Sequence, residues 1–99
     1  MKILALIDVA TGTSIEAVKA EITNELKGSW DLFVSGVLRE AYATAAPGRV
    51  VFVLEADDIA DAQAYLHRLP LVAAGLLHTR YHPAHEFACV LSLVDEQIR

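Results

Sequence analysis

The chain has 99 residues, 55% of them hydrophobic and 21% charged, with a formal net charge of -5 from 8 Lys and Arg against 13 Asp and Glu. That length allows one domain and no second core, and a domain this small buries only about 60–65% of the surface its unfolded chain exposes. The acidic balance argues against nonspecific nucleic-acid binding, which needs several phosphate-neutralising cations on one face, and no run approaches the ~18 apolar residues of a membrane span.

Residues 3–9 are β-branched and apolar on both faces and predict a first strand, broken at Thr11-Gly12-Thr13. Thr13 or Ser14 can cap the helix that follows, and Glu16 suits its N-terminal dipole. Ile15, Val18, Ile22, Leu26, Trp30 and Phe33 recur at threes and fours, which predicts one helix over 15–34 with that stripe in the core. Gly36 is placed to cap its C-terminus.

Residues 37–44 alternate and read as a second strand. Ala45-Ala46-Pro47-Gly48 reads as a turn, and 49–55, with VVFVL at its centre, as the third strand of an antiparallel hairpin. Asp57 or Asp58 caps a second helix whose stripe is Ile59, Ala62, Leu66 and Leu69, with Pro70 ending it. Residues 71–75 form a loop or one loose turn, and 76–82 a fourth strand closed by Pro83. Beyond it, Phe87, Val90, Leu91, Val94 and Ile98 fit a helix period, while FACVLSLV also suits a strand added to a neighbouring subunit. The order β-α-β-β-α-β predicts an α+β, ferredoxin-like sandwich: a four-stranded antiparallel sheet with two helices on one face and the other face bare.

The hairpin strand VVFVLEADD, the helix DIADAQAYLHR, the break Leu69-Pro70-Leu71 and the strand reaching His82-Pro83 make the chain resemble the dimeric α/β-barrel superfamily, and within it muconolactone isomerase-like proteins. A more distant similarity, through Gly36, Arg39 and Tyr42, runs to YCII-like proteins. The resemblance implies sheets paired face to face in a homodimer or larger even-numbered oligomer, with residues 84–99 an extension that packs on a partner subunit. It also implies a cofactor-independent isomerase or lyase acting on a small unsaturated lactone or organic acid. Superfamily relatives leave two alternatives: a noncatalytic small-molecule-binding or assembly protein, and a cofactor-independent monooxygenase of an aromatic substrate. The chain departs from muconolactone isomerases at Val37-Leu38-Arg39-Glu40-Ala41-Tyr42, where those enzymes carry tryptophan, arginine and histidine, and at Val72-Ala73-Ala74-Gly75, which lacks aromatic residues.

Among polar residues, His78, Arg80 and His82 share one face of the fourth strand because side chains alternate. If Leu77 and Tyr81 pack on the helices, these three point toward a partner sheet. There arginine can fix a carboxylate and histidine can move protons near neutral pH; the alternative is an ordinary exposed edge. Asp8, in phase with Leu4 and Leu6, can assist or merely close a turn. Tyr42 can donate a hydrogen bond or fill an interface, and Arg39 shares its face only if a bulge intervenes. His67 suits a helix C-terminus. His82-Pro83-Ala84-His85-Glu86 lacks the spacing of a helical zinc site, and Cys89, the sole cysteine, reads as a small apolar residue that excludes intrachain disulfides. No metal, cofactor, membrane or nucleic-acid partner is expected. With Met1-Lys2 leading directly into a strand and no cleavage-like segment, the expected location is cytoplasmic.

Overall fold

The computed structural model describes residues 1–45 and 48–85. The elements run β1 (Lys2–Val9), α1 (Ile15–Val34), β2 (Leu38–Ala43), β3 (Val50–Glu55), α2 (Ile59–Leu66), α3 (Pro70–Ala73) and β4 (Leu77–Pro83). The strands form one sheet in the order β2-β3-β1-β4, antiparallel at every junction. This is the expected α+β ferredoxin-like arrangement. The readings of residues 86–99, Cys89 among them, and of Ala46-Pro47 lie outside the described residues.

Local chemistry explains the element ends. Ser14, in extended backbone, accepts the Ala17 N–H through Oγ at 3.2 Å and starts α1. At the other end Gly36 adopts φ +84°. Its N–H donates to Phe33 O, and the Val37 N–H donates to Leu32 O, the paired bonds of a Schellman stop. Asp58 caps α2 by accepting the Asp61 N–H at 2.7 Å. Helix α2 closes at Leu66 with His67 as its C-cap, three residues before the proline expected to end it. Pro70 instead occupies the first turn of the short helix α3, where its missing N–H costs nothing.

The core lies between the helices and one face of the sheet. Ile3, Ala5 and Ile7 of β1, Phe52 and Leu54 of β3, and Leu38 of β2 meet Ala62, Leu66, Leu69 and Val72, with Leu77 and Tyr81 of β4 packed alongside. Helix α1 packs against β2 and α3, and α2 against β4.

One expectation is overturned. The stripe through Ile15, Ile22, Leu26, Trp30 and Phe33 is not core: Trp30 is 63% exposed and Phe33 50%, stacked on one another with centroids 5.5 Å apart. Of the expected stripe only Val18 turns inward, and it does so partly. The packed face of α1 is rotated to Glu25, Gly28, Ser29 and Leu32. The cause is close approach. A Cβ at Gly28 would lie 2.8 Å from Leu69 Cδ2, so the lack of a side chain at this position lets the helix approach Leu69 on this side.

Candidate functional site: a groove under helix α1 and a charged row on the open sheet face

Register places the predicted polar residues. Directly opposed residues in neighbouring strands share a face, and on the face away from the helices one row reads Tyr42, Val51, Leu6, Arg80 and the next Glu40, Val53, Leu4, His82. Asp8 lies opposite His78. The face therefore has an apolar centre, a basic and imidazole column along β4, and an acid and hydroxyl column along β2. A bulge between Leu38 and Glu40 puts Tyr42 on this face and leaves Arg39 as the extra residue, its Nε donating to Gly36 O at 2.7 Å.

These residues gather only in part. Asp8 Oδ1 takes Arg49 Nε at 2.9 Å, and Oδ2 stands 4.0 Å from Arg80 Nη2, with His78 across the strand pair. Arg49 went unremarked in the sequence because its pairing with Asp8 depends on the register between β1 and β3. His82 stands beside Leu4, two residues further along β4 from Arg80. Tyr42 is turned to its own strand: its hydroxyl donates to Glu40 Oε1 at 2.5 Å, and that bond and charge hold its pKa above the ordinary phenol value. His67 caps α2, away from this face. Among the described residues no three His, Cys, Asp or Glu side chains meet at metal-binding range.

A second site was not anticipated. Between α1 and the core-facing side of β2 and β3 runs an apolar groove of about 390 Å³, walled by Ile7, Ala41, Val50 and Phe52 below and by Val18, Ile22 and Leu26 above. Among the described residues its one carboxyl is Glu25, 7% exposed. Glu25 Oε1 accepts the Leu71 N–H from the first turn of α3 at 2.8 Å. Burial raises the pKa of Glu25 above the usual carboxylate value, and the Leu71 hydrogen bond opposes that rise. The Ser29 hydroxyl beside it donates to Glu25 O at 2.9 Å and is already committed. Glu25 escaped the sequence reading because a glutamate beside an apolar stripe ordinarily marks the solvent side. Its faint signal was spacing: Val18, Ile22, Glu25, Ser29 and Leu32 also recur at threes and fours.

The groove brings together a size suited to a small organic molecule, apolar walls, and one acid whose pKa is raised by burial. Such a set can bind a small ring and move a proton at its edge. The charged row on the open face can pair with an organic anion.

No family model matches the chain, and no curated protein matches it. Among solved structures it is similar to 5-chloro-2-hydroxyhydroquinone dehydrochlorinase (TftG) from Burkholderia phenoliruptrix AC1100, in complex with 2,5-dihydroxybenzoquinone. The TM-score is 0.68 at 14% identity, covering 87% of this chain and 95% of that one. At that identity the likeness carries the fold.

Proposed function

We propose that the protein processes a small unsaturated organic molecule, a lactone or carboxylic acid, in the groove beneath α1, as a cofactor-independent isomerase or lyase of the muconolactone isomerase-like kind. The observation that carries this reading is Glu25: a carboxyl sunk in an apolar groove, oriented by the Leu71 amide, with its pKa raised. In its ionised form Glu25 takes a proton from carbon next to a conjugated carbonyl. In its acid form it returns that proton to the far carbon of the shifted double bond, so atoms and electrons balance without a redox partner. The apolar walls hold the ring against the carboxyl. The structural neighbour's ligand, a small quinone ring, supports a ligand of this size class.

A second reading rests on the Asp8 cluster. Here Arg80 with Arg49 fixes the carboxylate of an organic acid, His78 or His82 transfers the proton, and Tyr42 or Asp8 assists. A second copy of the chain laid over the Leu4, Leu6, Val51 and Val53 centre encloses the site as a homodimer. Opposition of the β4 cations to the β2 acid and hydroxyl column favours such self-pairing.

The two readings separate in one experiment. Muconolactone is incubated with the protein in deuterated water, and loss of the exchangeable C–H signal is followed by proton NMR. The groove reading expects exchange or isomerisation by the wild type, at least about a hundredfold loss in Glu25→Gln, and retention in His78→Gln and His82→Gln. The opposite pattern moves the chemistry to the open face. Saturable binding without exchange by any form makes this a noncatalytic binding protein.

A further inference from the structure

The outer side of α1 carries an apolar ridge that runs from the lip of the groove, at Ile22 and Leu26, out to Trp30 and Phe33. Ile22, Leu26 and Trp30 stand four residues apart and so line up along one side of the helix, with Phe33 one turn beyond. Leu26, Trp30 and Phe33 are each half or more exposed. One residue further round lies a polar ridge, Thr23, Lys27 and Asp31, which with Leu26 and Trp30 borders a surface recess of about 480 Å³. Lys27 and Asp31 carry opposite charge, and among the described residues neither is in an ion pair.

We infer that this ridge seats the same ridge of a second copy of the chain, antiparallel, about a two-fold axis passing close to Trp30. The charge order selects the occupant. In an antiparallel pair centred there, Lys27 of each copy meets Asp31 of the other, both ways round, while Leu26 meets Phe33 and the two indoles lie across the axis. An isologous contact demands this kind of self-complementarity. A parallel pairing would set Lys27 against Lys27 and Asp31 against Asp31. The aromatic centre with a charged flank also has the make-up of an interface core and rim. This contact is separate from any pairing of sheet faces; it shares Ile22 and Leu26 with the upper wall of the groove, and its test reads mass and indole emission with no ligand present.

The test uses the intact chain, native mass by light scattering, and the emission of Trp30, the sole tryptophan. On dilution the wild type should lose mass while its emission moves from that of a covered indole to that of a wet one. Lys27→Glu and Asp31→Lys each place like charges across the axis and should weaken the association roughly tenfold or more. The Lys27→Glu/Asp31→Lys double variant should restore it. Single variants with unchanged mass, or a double variant no better than the singles, overturn the contact. Blue emission independent of concentration overturns it too, because the cover would then come from within one chain. Any dimer formed through the sheet survives all three variants, so its presence or absence is read separately.

Discussion

Glu25 Oε1 accepts the Leu71 N–H at 2.8 Å across 46 residues of chain, tying the middle of α1 to the first turn of α3. The bond answers two needs. Helix α3 has no side-chain cap at Leu69, so one of its opening amides takes a partner from another helix. The carboxyl, in turn, is held at a set angle to the groove. Glu25→Ala leaves the Leu71 amide unpaired in a buried place and should cost about 1–3 kcal/mol, the usual toll for an orphaned buried donor. Urea unfolding measures it, and a loss below 0.5 kcal/mol would mean the bond is dispensable (roughly the scatter of surface substitutions).

Glu25→Gln separates charge from shape, since its amide oxygen can still accept from Leu71. The raised pKa means that the folded state holds the Glu25 proton more tightly than the unfolded chain does. At pH below the unfolded carboxylate value both states are neutral and the group is neutral toward stability. As pH climbs from there through the raised folded value, the unfolded state ionises first and stability falls. The advantage of Glu25→Gln over wild type should therefore be near nil in acid, grow across that window and level off above it. Parallel urea titrations from pH 4 to 8 (a range spanning the ordinary carboxylate value) read this directly. A difference flat in pH would show that Glu25 is not desolvated in solution.

How far these features were legible in the sequence depends on what each one rests on. Strand faces could be read because alternation is a local property: Leu77 and Tyr81 pack inward while His78, Arg80 and His82 point out. The bounds of α1 could be read because Ser14 and Gly36 act on the backbone beside them. The face of α1 could not, because two stripes share its periodicity and the choice between them is tertiary. Hydrophobicity favours Leu26 and Trp30, yet Gly28 leaves room for Leu69 and lets the helix settle on its less apolar side. Glu25 was hidden by the same rotation. The Asp8–Arg49–Arg80 cluster was half legible, since the His78 and Arg80 face follows from alternation but the Arg49 partner depends on register.

Gly28 offers a direct test of that rotation. On an exposed helix face Gly→Ala should stabilise by about 1 kcal/mol. Here the added methyl meets Leu69 Cδ2 at 2.8 Å, and Leu69 is itself buried to 1% exposure. Overpacking of this kind costs about 1–3 kcal/mol, so the net effect of Gly28→Ala should be a loss of up to about 2 kcal/mol. A gain in thermal midpoint would place Gly28 on an open face and restore the Trp30 stripe to the core.

Gly36 has the opposite character. Its φ of +84° lies in the left-handed region, and no atom stands within 4 Å of where a Cβ would go. Gly36→Ala therefore meets backbone strain alone, about 1–2 kcal/mol, whereas Gly36→Asn should cost less because asparagine tolerates that region. Equal losses in the two variants would mean that crowding, not conformation, governs the stop of α1.

Tyr81 shows what the fold tolerates in its core. It packs against the buried cluster from β4, and its hydroxyl is buried with no hydrogen-bond partner among the described residues. An unsatisfied buried hydroxyl carries a desolvation penalty of about 1–3 kcal/mol. Tyr81→Phe removes that oxygen and keeps the ring, so it should hold or raise stability, by up to about 1 kcal/mol given the small void it leaves. Urea midpoints of the two proteins decide it. A clear loss in Tyr81→Phe would reveal a partner for the hydroxyl.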